Sequence, residues 1–262
     1  MKRMANCCKN PLWGVVLLLF LIPQGGLCAN RSTLPISAAM SLKDAVTALK
    51  EVYEQQHPDI RLEVNFASSG ALQKQIEQGA PTELFLSAGQ KQMNALQSQD
   101  LIVPQSRCDL LGNSLVLIVA KEQKDRIWGF DDLAKDAEHF AIGYPDSVPV
   151  GRYAKQTLLS VGLWDTLQER LVFAKNARSV LAYVDSGNAD AGLVYSSDTK
   201  VLKSAVVAAH APEKSHAPII YPVALIRDGK QPALTGQFLD FLKTAEACRI
   251  FARFGFTPLL AK

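Results

Sequence analysis

Ala38-Ala39-Met40-Ser41-Leu42 and Phe66-Ala67-Ser68-Ser69-Gly70 each close an apolar run with serine and then open a helical pattern. A serine at a strand-to-helix junction sets a hydroxyl beside the unpaired N–H groups of a helix start, where the helix dipole favours negative charge. Two such junctions in one half of the chain imply one shared anionic ligand.

The flanking sequence sets these junctions in an alternating pattern. After Ser41, the residues Leu42, Ala45, Val46, Leu49, Val52 and Tyr53 keep helical spacing until His57-Pro58-Asp59 breaks it. Ser41 and Asp44 read as a capping box with Asp in place of Glu. Strands are expected at 61–66, 83–87, 114–120, 140–144, 171–174, 191–195 and 219–226. Helices are expected at 71–78, 91–98, 152–161 and 179–185, and helical periodicity runs twice through 233–253. Strands alternating with helices predict an α/β protein with parallel or mixed sheets covered on both faces. The extended stretches near 111–119 and 221–225 are the expected crossings between two lobes. The division is then a first lobe at 30–111, a second at 112–221, and a return to the first at 222–262.

Ligands of open α/β sheets bind beyond the carboxyl ends of the strands. Four junctions fall there: Ser41, Ser69, Pro149-Val150-Gly151 and Asn176-Ala177-Arg178, two in each lobe. Arg152 and Arg178, which follow two of them, are expected to lie along the helix surfaces in ion pairs. They are not read as anion clamps.

Composition bounds the function class. Residues 1–29 combine Lys2, Arg3 and Lys9, an apolar run at 12–22 and a small-residue exit, the pattern of a secretory signal peptide. The run is too short to span a bilayer comfortably, which takes about 20 apolar residues. Cleavage is expected after Cys28 or Ala29. Acylation of Cys28 is the weaker alternative, because Gly-Gly-Leu is a poor lipobox. The leader holds three of the 28 basic side chains and none of the 25 acidic ones. The mature chain is therefore balanced in charge, against the basic stripe of a nucleic-acid binder. Cys108 and Cys248 remain after the leader; an oxidising compartment allows them to pair, and the favoured reading is two separate, mostly buried thiols. His57, His139, His210 and His216 are scattered and expected at the surface. No His/Cys spacing fits a metal site, so no metal or cofactor is expected.

Several segments together resemble the periplasmic molybdate-binding proteins of ABC transporters. They are AAMSL (38–42), FASSG (66–70), QIEQGAPTELFLSA (75–88), LLGNSLVLIV (110–119), VPVGRYAKQTL (148–158), GLVYSSD (192–198), YPVAL (221–225) and FARFGF (251–256). The resemblance spans essentially the whole mature chain. It implies the two-lobed class II periplasmic binding-protein fold, α/β, with mixed sheets flanked by helices and a ligand cleft between lobes. It implies a periplasmic, monomeric, non-enzymatic protein that delivers molybdate or tungstate to a membrane permease and its ATPase. It carries the ligand contacts onto Ser41 and Ser69 through hydroxyl and N–H, Val150 and Ala177 through N–H, and Tyr195 through its phenol. Val150 stands where the family often has Ala, Ala177 where Val is common, and Glu83 and Gly89 where Asp is frequent.

Other classes are less well served. A sulfate, phosphate or small organic anion is the nearest competing ligand. A secreted α/β hydrolase would need a nucleophile elbow, but Gly112-Asn113-Ser114-Leu115-Val116 lacks the second glycine and no histidine has a partner context. The effector half of a transcription regulator is disfavoured by the secretion signal and the lack of a helix-turn-helix.

Overall fold

Every residue of Leu115-Val116-Leu117-Ile118-Val119 is buried. A strand achieves that only inside a sheet covered on both faces. Leu115, Leu117 and Val119 pack in one apolar cluster and Val116 and Ile118 in another, the two-residue alternation of a pleated strand.

The computed structural model describes residues 31–260; the expected leader, with Cys28, lies outside them. The chain begins with β1 (Ser32–Ala39), then a 3-10 turn (Met40–Leu42) running into α1 (Lys43–Gln56). It continues through β2 (Ile60–Ala67), α2 (Ser69–Glu77), β3 (Leu84–Leu86), α3 (Gln90–Ser98) and β4 (Cys108–Asn113). Next come β5 (Leu115–Val119), α4 (Phe130–Asp136), β6 (Phe140–Gly143), α5 (Pro149–Ser160), α6 (Trp164–Leu167), β7 (Leu171–Ala174), α7 (Ala177–Asp185), β8 (Ala191–Tyr195) and β9 (Val206–His210). The chain ends with β10 (Ile219–Leu225), α8 (Pro232–Leu242), α9 (Ala245–Arg253) and β11 (Thr257–Pro258).

The strands form two mixed sheets, ordered β11-β4-β10-β3-β1-β2 and β7-β6-β8-β5-β9. In the first, β1 runs parallel to β2 and β3 while β10 is antiparallel to β3 and β4. In the second, β6 runs parallel to β7 and β8 while β5 is antiparallel to β8 and β9. Pro222, which has no N–H for a ladder, sits at a register shift in β10. The sequence places crossings at 111/112 and 221/222; the strands change sheet at Ser114 and between His210 and Ile219. The elements expected from sequence are present, with most helices starting earlier than expected and several strands, such as β3 and β5, shorter. The strands β4, β9 and β11 and the short helices α4 and α6 are additions.

On the first sheet, Tyr53 of α1 packs edge-on against Phe238 of α8, with ring centroids 4.9 Å apart. Phe241 joins them, so the returning C-terminal helices complete the first sheet's cover. Cys108 and Cys248 are free thiols, as two separate residues. No helix among the described residues is long and apolar enough to cross a membrane.

Candidate functional site

The first turns of four helices line a single cavity. It is bounded by Ala39, Met40 and Ser41 at the start of the 3-10 turn, Ser68 and Ser69 at α2, Val148 to Val150 at α5, and Asn176 and Ala177 at α7; Ala88 and Tyr195 complete it. All five residues picked out in the sequence, Ser41, Ser69, Val150, Ala177 and Tyr195, are therefore together. Each is buried. The cavity is small: the room it leaves for the centre of a water-sized sphere is about 10 Å³. Its walls carry no Lys, Arg, His, Asp or Glu.

Each junction is built differently. At α2 the cap is Ser68, whose Oγ accepts from the Ala71 N–H at 3.2 Å. Ser69 is the first helical residue, and its Oγ accepts from the Ala88 N–H at 2.9 Å. With that lone pair engaged, the Ser69 hydroxyl proton is free to donate into the cavity.

The expected capping box of Ser41 and Asp44 is not formed, because the 3-10 turn moves the start of α1 to Lys43 and Leu42 takes the cap position without a side-chain bond. Ser41 Oγ lies 3.1 Å from the Tyr221 hydroxyl. The Asn113 side chain joins this pair: its Oδ1 accepts from the Ser114 N–H at 2.9 Å and its Nδ2 donates to the Tyr221 hydroxyl at 3.3 Å. The Ser41 hydroxyl lines the cavity, so its proton can serve either Tyr221 or a cavity ligand.

The second sheet contributes backbone. Pro149 opens α5, where a missing N–H costs nothing, and Val150 follows with a first-turn N–H. Asn176 caps α7 by accepting from the Ser179 N–H at 2.9 Å, and Ala177 follows. Neither the Val150 nor the Ala177 N–H has an acceptor among the described residues. Tyr195, at the end of β8, donates weakly to the Ala88 carbonyl at 3.4 Å. Burial pushes the Tyr195 and Tyr221 phenols well above their ordinary range, so both stay protonated donors.

The acceptors nearby are engaged. Asn176 Oδ1 and Ser68 Oγ serve as caps, and the Ala88 carbonyl faces Tyr195. The cavity thus presents N–H and O–H groups, a set suited to a species that accepts hydrogen bonds.

Two glycines, quoted in the sequence motifs but given no role there, make the geometry possible. Gly70 donates its N–H to the Ser147 carbonyl at 3.0 Å, joining the two sheets' bodies across the cavity rim. A Cβ on Gly70 would lie 2.4 Å from that oxygen. A Cβ on Gly151 would lie 1.8 Å from the Gly143 carbonyl oxygen, so only glycine lets the start of α5 sit against β6. The runs SSG and VPVG, each a donor followed by glycine, were the available signal. Arg178 forms ion pairs with Asp44 and Asp198, as expected of a surface-lying arginine rather than a clamp. Arg152 instead lies over the Tyr153 ring, 5.1 Å from its centroid.

The model of a family described as bacterial extracellular solute-binding protein matches residues 34–257. The chain is 40% identical to a putative ABC transporter substrate-binding lipoprotein of Bacillus subtilis, over 95% of this chain and 98% of that one. It is 37% identical to the molybdate-binding protein ModA of Escherichia coli, over 89% and 92%. Among solved structures, the substrate-binding domain of a putative molybdenum ABC transporter from Clostridium difficile superposes with a TM-score of 0.67 at 43% identity, covering 86% of this chain and 98% of that one.

Proposed function

The chain belongs to the bacterial extracellular solute-binding protein family, and from that premise we propose that it captures molybdate outside the cytoplasmic membrane and delivers it to the permease of an ABC transporter. One observation carries the choice of ligand: a small, buried cavity whose walls hold no charged side chain and into which four helix starts converge. Molybdate and tungstate are tetrahedral dianions that accept hydrogen bonds on every oxygen. The proposed donors are the Ser41 and Ser69 hydroxyls, the Val150 and Ala177 amides, and the Tyr195 phenol.

Neutral donors stabilise the dianion without a buried counter-cation, whose desolvation would be costly. A hydrogen bond to a charged group contributes roughly 1.5–3 kcal/mol net. Several together support micromolar affinity or tighter, about 8 kcal/mol. Phosphate carries a proton near neutral pH, which a wall made mainly of donors serves poorly. Sulfate carries none, so selection against it falls to cavity radius.

In this reading the two sheets are the cores of two lobes, hinged at Ser114 and in the return from β9 to β10. They close over one oxyanion, and the monomer's closed form docks on the permease and its ATPase. A leader at 1–29 exports the chain, which then moves freely or is held at the membrane through Cys28. A binding role rather than hydrolysis follows the family.

Isothermal titration of the mature protein with molybdate, tungstate, sulfate and phosphate tests the assignment. Tight binding of molybdate and tungstate with none of phosphate is expected. Sulfate binding without molybdate binding overturns it.

A further inference from the structure

Arg178 follows Ala177 in α7 and sits beside the cavity without lining it. Its Nη2 bonds the Asp44 carboxylate in the first turn of α1. Its Nε lies 3.5 Å from Asp198 Oδ1. Asp44 belongs to the body of the first sheet, while Arg178 and Asp198 belong to that of the second. Asp198 is fully buried, and neither of its oxygens has a hydrogen-bond partner among the described residues.

The two carboxylates therefore hold Arg178 in different ways. Asp198 keeps the guanidinium within its own body whether the lobes are together or apart. Asp44 meets it only when the lobes are together. The bond joins two helix starts that both reach the cavity: Ser41 lies one turn before Asp44, and Ala177 directly precedes Arg178. A pocket lined by Ser41, Asp44, Arg178 and Ser197 among others lies next to this contact.

We propose that Arg178 is a positioning residue of the trap: anchored by Asp198, it latches the start of α7 to Asp44 in the closed form and slows release of an anion it does not touch. This rests on the cavity being the oxyanion site. The pair is part-exposed, with side chains 23% and 39% accessible, so salt weakens the latch. Loss of the arginine itself would strand a buried carboxylate and endanger folding. The informative change is at Asp44, which leaves the anchored pair intact.

The test compares wild type, Asp44→Asn and Asp44→Glu, reading molybdate dissociation by stopped flow and the radius of gyration by X-ray scattering without ligand. For Asp44→Asn, dissociation is expected about fivefold faster, association within about twofold, and ligand-free scattering shifted toward the extended form. Asp44→Glu recovers most of the wild-type rate, which a merely structural role for Asp44 would not produce, and about 0.5 M salt brings wild type close to Asp44→Asn. Dissociation of Asp44→Asn within about twofold of wild type overturns the latch. If wild type binds no molybdate, the ligand assignment is what fails. The latch is then judged on scattering alone, where an unchanged Asp44→Asn overturns it and an extended one supports it.

Discussion

The two walls of the cavity are made of different material. The first-sheet wall offers hydroxyls, those of Ser41 and Ser69, each held by a named partner. The second-sheet wall offers the amides of Val150 and Ala177 at helix starts, with the Tyr195 phenol as its one hydroxyl. The difference concerns what evolution or mutagenesis can change. A hydroxyl is lost with one atom. An amide is lost only by moving the backbone, so the second wall tolerates side-chain substitution and is sensitive to glycine replacement.

The largest effects are therefore expected at the glycines. Gly151→Ala forces a Cβ against the Gly143 carbonyl, backbone against backbone, with no flexible side chain to yield. Displacing the start of α5 should lower stability by about 1–3 kcal/mol and weaken molybdate binding about 100-fold, near 2.7 kcal/mol. Gly70→Ala separates closure from folding. Its Cβ meets Ser147 only across the two bodies. Binding should fall by a similar factor while the melting temperature without ligand stays at the wild-type value. Equal losses of ligand-free stability in the two variants would show that Gly70 serves the fold and not closure.

Next come the hydroxyls. Ser69→Ala and Ser41→Ala should each weaken molybdate tenfold or more, about 1.4 kcal/mol, as measured by titration calorimetry. Ser69→Ala also strands the buried Ala88 N–H, so its loss should be the larger of the two. Unchanged affinity in both would remove the first wall from the site and end the contrast.

The two bodies also differ in their buried acids. Glu83, in the first, accepts from the N–H groups of Lys230 and Gln231 at 2.7 and 3.1 Å. Asp198, in the second, has Arg178 as its one ion-pair partner. Burial raises its pKa to about 7 against the pull of Arg178, with Asp44 adding to the rise. The folded state then holds a proton that the unfolded state, with a carboxyl near 3.8, has released. Stability from this group is full at low pH and declines as pH rises from about 4 through about 7. Between pH 5 and 8 the decline should be roughly 2–3 kcal/mol in urea unfolding, and Asp198→Asn should flatten it. A slope that survives in Asp198→Asn belongs to another group.

Much of this contrast was legible in the sequence. The order of strands and helices follows hydrophobic period, a local property, and the four junctions follow from where strands end and helices begin. The partners were not legible, because they depend on which distant segments meet. Tyr221 orients Ser41 from 180 positions away, and the Ala88 N–H takes up the Ser69 lone pair that a cap would have used. The misread capping box has the same origin. The spacing of Ser41 and Asp44 fits a box, but a 3-10 turn shifts the helix start and Asp44 is drawn to Arg178 across the bodies. The glycines of SSG and VPVG were visible as letters. Their necessity lies in contacts with Ser147 and Gly143 that no local pattern encodes.

The smallest expected effect is the most discriminating for the second wall. Val150→Ala and Ala177→Val exchange the side chains while keeping each N–H in its first turn. Val150 is fully buried in the apolar cluster, so the smaller residue leaves a cavity and lowers stability by about 1–3 kcal/mol. Ala177 is 5% exposed at the cavity wall, and a valine there adds two methyl groups at that wall. If the amides are the donors, molybdate affinity should stay within about threefold of wild type in both, under 1 kcal/mol, even where Val150→Ala loses thermal stability. A tenfold loss confined to Ala177→Val would mean that the wall discriminates by its methyl surface, with cavity radius rather than amide count setting the preference among oxyanions. A tenfold loss in both would mean that packing behind the helix starts aims the amides, and the second wall would then be as dependent on its side chains as the first.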